Sequence, residues 1–312
     1  MNILLNRPLP AQALETLHRI APTAEFRHEL KSEALASHLD WSEVIFGNPP
    51  AALLQDRPNL RWLQIVSSGF DEYASLAGKS LIVTTAHGVH AKPIAQQVMM
   101  SMLMFARGQL HFGECQRLSK WDRNPAIPFS LSGQTMGLVG YGMSGQELAR
   151  FAPLLGLRAV AVKRTAGPCP PELERLDALD GLDALLKESD HVVVTLPLTP
   201  ETRHLLDARR VTLIKTGAYF YNVARGGLVD EAALLTRLQQ GSLGGAALDV
   251  FAQEPLPAEN VWWTAPRTLV FPHIAGHHRD LGADTFALFA ANLTRYVAGE
   301  KLENIADFSR GY

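Results

Sequence analysis

The chain has 312 residues, 47% of them hydrophobic, with 24 glycines, 19 prolines and two cysteines. That length exceeds one ordinary core and suits two, and the composition excludes a fibre or a disordered tail. A net charge of −2 supplies no field toward nucleic acid or an anionic membrane, so neither is an expected partner.

The opening MNILLNRPLP has too short an apolar run for a signal peptide. Strand-like runs follow within the first hundred residues: NILLN, AEFRH, EVIF, RWLQIV and LIVTT. Between the first two, PAQALETLHRI carries the 3.6-residue apolar spacing of a helix. Such alternation predicts parallel β-α-β units with helices on both faces of a sheet. A longer helical pattern covers Ala91 to Arg107. Its greasiest part, VMMSMLMFAR, is well short of the roughly 18–20 residues that span a bilayer, so it reads as a buried or interface helix. The polar, proline-punctuated SKWDRNPAIPFSLSG then reads as a domain junction. Cys115 and Cys169 form no Cys-x-x-Cys, so neither a disulfide framework nor a zinc site is expected, and a reducing cytoplasm fits.

A second series of runs starts at Thr135: TMGLVG, RAVAV, HVVVTL, AYFYNV, GAALDV and TLVFP. They are continuously apolar rather than alternating, as strands covered on both faces should be. The last helix, roughly Asp280 to Ala298, has no strand of its own and is expected to cross back onto the first domain.

The first run of this series ends in Gly140-Tyr-Gly142-Met143-Ser144-Gly145, at the start of an amphipathic helical pattern. A glycine at 140 permits a tight turn, one at 142 lets backbone approach a pyrophosphate, and one at 145 lets the helix pack closely on the strand. The helix N-terminus would then offer free N–H groups to phosphates. About 20 residues on, such units usually place an Asp or Glu that holds the adenosine ribose. Here the second strand ends instead in Lys163-Arg164-Thr165. Two cations and a hydroxyl suit a ribose 2′-phosphate, and the expected cofactor is NADP(H) in preference to NAD(H).

Three later segments each carry one polar residue beside glycine or proline at a predicted strand end. They are YNVARGGLVDEAAL with Arg225, ALDVFAQEPLP with Glu254, and VFPHIAGHH with His273. Loops beyond the carboxyl ends of parallel strands line the ligand crevice of open α/β sheets. With these motifs the chain resembles the D-isomer-specific 2-hydroxyacid dehydrogenase family, particularly its glyoxylate/hydroxypyruvate reductase-like branch. The resemblance also rests on VSSGFDEY at 66–73, GVHAKPIAQQV at 88–98, and TLPLTPETRHLL at 195–206.

The resemblance implies reduction of a small 2-keto acid to the D-2-hydroxy acid, with Arg225, Glu254 and His273 catalytic. Arg225 would hold the substrate carboxylate, and His273 would give the carbonyl oxygen its proton. Glu254 would hydrogen-bond His273 and fix its tautomer. Backbone N–H groups of Ser68 and Gly69 would complete the carboxylate cradle, and Asp249 would hold the nicotinamide carboxamide. The remaining cofactor contacts would fall at Leu196, Pro197, Thr202, Val223, Ala224 and Gly276, beside the glycine loop and the 163–165 segment. No metal site is expected, because Gly276 interrupts any helix that would align His273 with His277 and His278. His277 and His278 either contact substrate or sit at the mouth of the crevice. Trp262 and Trp263 suit packing better than a substrate platform, and loops around Asn48, Phe70 and His87, with the C-terminal helix, would set side-chain specificity.

The implied architecture is α/β, with two doubly wound parallel-sheet domains. A Rossmann-type cofactor domain, 99–279, is inserted into a flavodoxin-like substrate domain made of 1–98 and 280–312. Family members usually pair through the 91–107 helix, which implies a homodimer. Corepressors with this fold keep the same polar residues, so a non-catalytic dinucleotide-sensing scaffold is the alternative.

Overall fold

A computed structural model describes residues 1–124 and 127–311, apart from the side chains of Ser32 and Glu33. Pro125 and Ala126, in the proline-punctuated stretch read as a junction, lie outside the described residues. The chain folds as two units, one of residues 1–90 and 277–311, the other of Ala91–Gly276.

The first unit holds strands β1 (Asn2–Asn6), β2 (Glu25–His28), β3 (Val44–Gly47), β4 (Trp62–Gln64) and β5 (Ile82–Thr84). Helices α1 (Ala13–Ile20) and α2 (Ser32–Leu39) make the first two crossovers. All pairings between these strands are parallel, in the order β2-β1-β3-β4-β5. That is the flavodoxin-like order. The final helix of the chain packs on this sheet, as its missing strand partner predicts. Phe289 stacks on Phe46 at 4.5 Å between ring centroids, and Phe286 and Leu293 join Ile3, Leu5, Val44 and Trp62 in one core.

The second unit opens with α3 (Ala91–Ala106) and α4 (Gln109–Arg117). Its strands are β6 (Thr135–Val139), β7 (Arg158–Val162), β8 (Arg175–Asp177), β9 (His191–Val194), β10 (Tyr219–Asn222), β11 (Gly245–Leu248) and β12 (Thr268–Val270). Between them run α5 (Met143–Phe151), α6 (Leu182–Glu188), α7 (Ala208–Leu213) and α8 (Glu231–Gln239); the first unit's last helix is α9 (Leu281–Val297). The sheet order is β12-β11-β10-β9-β6-β7-β8, with every pairing parallel. Counted from β6, this is the doubly wound Rossmann order with one further strand. The central strands β6, β9 and β11 are buried at every position, which their unbroken apolar runs require.

Two sequence expectations shift. The units divide at 90/91 and 276/277, not at 98/99 and 279/280. The reason is α3: Val98, Met99, Met102 and Phe105 bury against Met136, Leu138 and Tyr221, so the whole helix belongs with the second sheet. The proline-punctuated stretch accordingly lies inside the second unit, where Phe129 donates its N–H to Ala106 O and stacks on Tyr219. The short edge strand β8 is absent from the sequence reading, because Arg-Leu-Asp offers one apolar residue between two charges.

Candidate active site

Every strand of the second sheet points the same way, so the loops that follow the strands emerge along one edge. The glycine loop follows β6, Lys163–Thr165 follows β7, Leu196 and Pro197 follow β9, and Val223–Arg225 follows β10. Asp249 follows β11, and His273–Gly276 follows β12. The expected cofactor and catalytic residues of this unit thus share one edge.

The glycine loop sits beside β9. Gly140 lies at φ +114°, and a Cβ there would stand 2.9 Å from Leu196 N and from Thr195 Oγ1. A Cβ at Gly145 would stand 2.6 Å from Gly140 O, which enforces the close approach of α5 to β6. At Gly142 a Cβ would meet nothing within 4 Å. Only this glycine of the three faces open space, and it is the one whose backbone a pyrophosphate must approach. No side chain caps the start of α5, so its first N–H groups and partial positive charge remain to meet an anion. The loop therefore fits a dinucleotide. Met143 is exposed and Ser144 half-buried on the first turn of α5.

Arg164 and Thr165 are exposed after β7, and Lys163 is half-buried, its backbone N–H donated to Asp177 O. The Glu201 carboxyl is held below its ordinary range, first by a hydrogen bond from Thr199 and in smaller part by the charge of Arg164. Thr202 is buried, and its hydroxyl donates to Pro197 O while accepting from Thr199 N–H, so its hydrogen bonds close the loop.

His273 and Glu254 meet directly: Nδ1 stands 2.6 Å from Oε2. The other Glu254 oxygen accepts from Phe251 N–H at 2.9 Å, which fixes the carboxylate plane. Both side chains stay open to solvent, at 47% and 34% exposure. His273 occupies the left-handed region at φ +54°, an uncommon place for a side-chain-bearing residue. Asp249 keeps it there. Its backbone O accepts from His273 N–H, and its carboxylate accepts from Ile274 N–H and Ala275 N–H, each at 2.9 Å. Gln97 on α3 donates to the same carboxylate at 3.1 Å. Asp249, expected at the nicotinamide, is thus also the anchor of the His273 turn. Gln97 is the residue that sequence reading missed; its only signal is a polar side chain within an apolar helical stripe.

Arg225 is half-buried in an extended conformation, and its guanidinium donates to Ala224 O at 2.8 Å. A Cβ at the next residue, Gly226, would stand 2.0 Å from Phe251 C, so only glycine lets the Arg225 loop lie against the Glu254 loop. Val223 and Ala224 line the end of β10, where Asn222 braces the turn by accepting from Ala224 N–H and donating to Arg225 O. Trp262 is buried in the core, whereas Trp263 is half exposed and donates its ring N–H to Pro257 O.

In the first unit, Ser68 and Gly69 are half-buried in the turn after β4, with Ser68 Oγ donating to Ala86 O. Asn48 braces that turn by accepting from Val66 N–H. Phe70, whose loop is expected to shape specificity, is itself buried in the core against Phe308. His278 pairs with Asp284 at 2.9 Å, and His277 is exposed.

Residues 99–275 match the family model of the D-isomer specific 2-hydroxyacid dehydrogenase, NAD binding domain. The chain belongs to this family. It is an oxidoreductase of the D-2-hydroxyacid dehydrogenase type, and its second unit is an NAD(P)-binding Rossmann domain. It is 28% identical to a glycerate dehydrogenase of Methylorubrum extorquens, over 94% of this chain and 96% of that one. It is 30% identical to glyoxylate/hydroxypyruvate reductase B of Citrobacter koseri, over 97% of each chain. A solved NADPH-dependent glyoxylate/hydroxypyruvate reductase from Sinorhizobium meliloti, in complex with NADP and sulfate, superposes with a TM-score of 0.85 at 26% identity. That match covers 100% of this chain and 99% of the other. Among the described residues, no helix is long and apolar enough to cross a membrane.

Proposed function

We propose that this dehydrogenase reduces a small 2-keto acid of the glyoxylate/hydroxypyruvate kind to the D-2-hydroxy acid, using NADPH. The observation that carries the reading is the 2.6 Å contact between His273 Nδ1 and Glu254. With Nδ1 engaged by a carboxylate, Nε2 is the ring atom that exchanges a proton with the substrate oxygen. A dinucleotide held at the glycine loop would supply the hydride for the carbonyl carbon. His273 delivers the proton to the carbonyl oxygen, and the imidazolium that gives it is offset by Glu254. Arg225 holds the substrate carboxylate as a planar, two-pronged donor. A carboxylate has about four acceptor positions, and Asp249 uses three of them within the chain, so one remains for the nicotinamide carboxamide.

Lys163, Arg164 and Thr165 support NADPH over NADH, because a 2′-phosphate brings nearly two charges to a strand end carrying two cations. The exposed Met100 and Leu103 on the outer face of α3 support a homodimer formed through that helix.

The test is steady-state kinetics with glyoxylate, hydroxypyruvate, pyruvate and phenylpyruvate, each with NADPH and with NADH. Glyoxylate or hydroxypyruvate should turn over fastest, with NADPH preferred about 10²-fold, which corresponds to roughly 3 kcal/mol of differential binding. Absence of turnover with every acid would leave the dinucleotide-sensing scaffold.

A further inference from the structure

The cysteine count alone argues against a metal site, yet the fold assembles a different donor set on α4. His111 and Cys115 are four residues apart on that helix, one turn above the other on the same face. After α4 the chain reverses through Ser119, at φ +54°, and Lys120 N–H returns to Cys115 O at 2.8 Å. This reversal lays Asp122 over the same face. Asn124 N–H donates to Asp122 Oδ1 at 3.1 Å, which leaves Oδ2 turned to His111.

His111 Nε2 stands 3.5 Å from Cys115 Sγ and 3.3 Å from Asp122 Oδ2, and all three donor atoms lie within 4.8 Å of one another. Both neighbours face the same ring nitrogen. A nucleophilic triad needs the thiol on one imidazole nitrogen and the acid on the other, so the arrangement is not a triad. One nitrogen carries at most one proton and cannot serve both neighbours fully, whereas a cation placed among the three serves all of them. With metal–ligand distances of about 2.0–2.3 Å, tetrahedral coordination sets donor–donor edges of roughly 3.4–3.6 Å. The separations of 3.5 and 3.3 Å at His111 Nε2 lie near that value. Cys115 is buried, while the His111 and Asp122 side chains keep 31% and 25% exposure, so a fourth ligand can enter from water. Lys120, which pairs with Asp122 at 3.3 Å, is 63% exposed and free to turn outward.

We propose that His111, Cys115 and Asp122 form a divalent-metal site fitted to Zn²⁺, with water as the fourth ligand. Binding converts the Cys115 thiol to a thiolate and releases its proton to solvent. The site closes the 118–122 reversal onto α4, a helix that contributes no residue to the candidate active site.

The test uses the full chain with Cys169→Ser, so that Cys115 is its one cysteine, titrated with Co²⁺ and then Zn²⁺. The expected result is one Co²⁺ per chain with a thiolate-to-metal absorption band, bleached by Zn²⁺, and a Zn²⁺-dependent rise in Tm. Cys115→Ser should abolish the band, and His111→Ala and Asp122→Asn should each weaken binding at least about tenfold. Asp122 is a loop residue, so Asp122→Asn reads the site even where Cys115→Ser impairs folding. No thiolate band in excess Co²⁺, or affinity in the Asp122→Asn and His111→Ala chains unchanged from that of the parent chain, overturns the proposal.

Discussion

His273 sits at φ +54° with its imidazole on Glu254, and Asp249 holds the backbone on either side of it. Backbone strain of this kind costs about 1–3 kcal/mol and persists only where its surroundings impose it. Here they impose it to aim one ring. His273→Ala should therefore lower kcat by about 10²–10⁴-fold, the range of general acid catalysis, while the Kd for NADPH changes little. Arg225→Lys should also be severe, because an ammonium cannot reproduce the guanidinium fork. Stopped-flow turnover and cofactor-fluorescence titration of the two variants check both; near-normal turnover in His273→Ala would remove the proton-donor assignment. Glu254, Arg225 and His273 drew attention in the sequence because each adjoins a glycine or proline at a strand end. Gln97 did not, since its partner Asp249 is 152 positions away and a glutamine in a helix does not announce a buried partner.

At the scale of elements, β7 and β9 carry opposite kinds of polarity. Strand β7 is followed by two cations, the half-buried Lys163 and the exposed Arg164. Removing one of them in Arg164→Ala should raise the KM for NADPH by about tenfold or more and leave that for NADH nearly unchanged, since a charge-assisted hydrogen bond contributes about 1.5–3 kcal/mol. Equal weakening of both cofactors would mean that Arg164 does not read the 2′-phosphate. Strand β9 starts with His191, wholly buried, its Nδ1 2.9 Å from Tyr221 Oη and its Nε2 2.7 Å from Gln134 Oε1. Burial pushes its pKa down to about 4 from 6.5, against a smaller upward pull from Asp190. The unfolded chain then binds the proton more readily than the folded one. His191 therefore favours the folded state fully above about pH 6.5, and that contribution is lost as pH falls toward 4. The loss approaches roughly 3 kcal/mol at the acid end. Urea midpoints measured between pH 7 and pH 4 should fall more steeply in the wild type than in His191→Gln, and parallel slopes would contradict a neutral buried imidazole. This network was invisible in HVVVTL, because nothing in an apolar run tells whether its one histidine points into the sheet's core or out to water.

The whole chain is arranged so that one unit is contiguous and the other is not. Both hydrophobic clusters around the seven-stranded sheet draw only on residues between Ala91 and Gly276. The core of the first unit, in contrast, needs both chain ends: Phe286, Phe289 and Leu293 cover Ile3, Phe46 and Trp62. Alternating strand and helix patterns made the two sheets legible in the sequence, and the unaccompanied last helix indicated where it would pack. The division at 90/91 was harder to place, because an apolar helix does not say which of two neighbouring sheets it covers. The asymmetry has a measurable consequence. Residues 91–276 expressed alone should fold cooperatively and bind NADPH, since their core is complete. A chain ending at residue 276 should keep that unit while the first sheet loses its cover. Three large apolar side chains bury about 1.5–3 kcal/mol each, a sum comparable to the 5–15 kcal/mol by which a domain is stable. The truncated chain should then show one melting transition, sensitive to NADPH, together with proteolysis confined to residues 1–90. Two cooperative transitions in that chain would mean that β1 to β5 hold together without α9, and that the helix decorates the first unit rather than completing it.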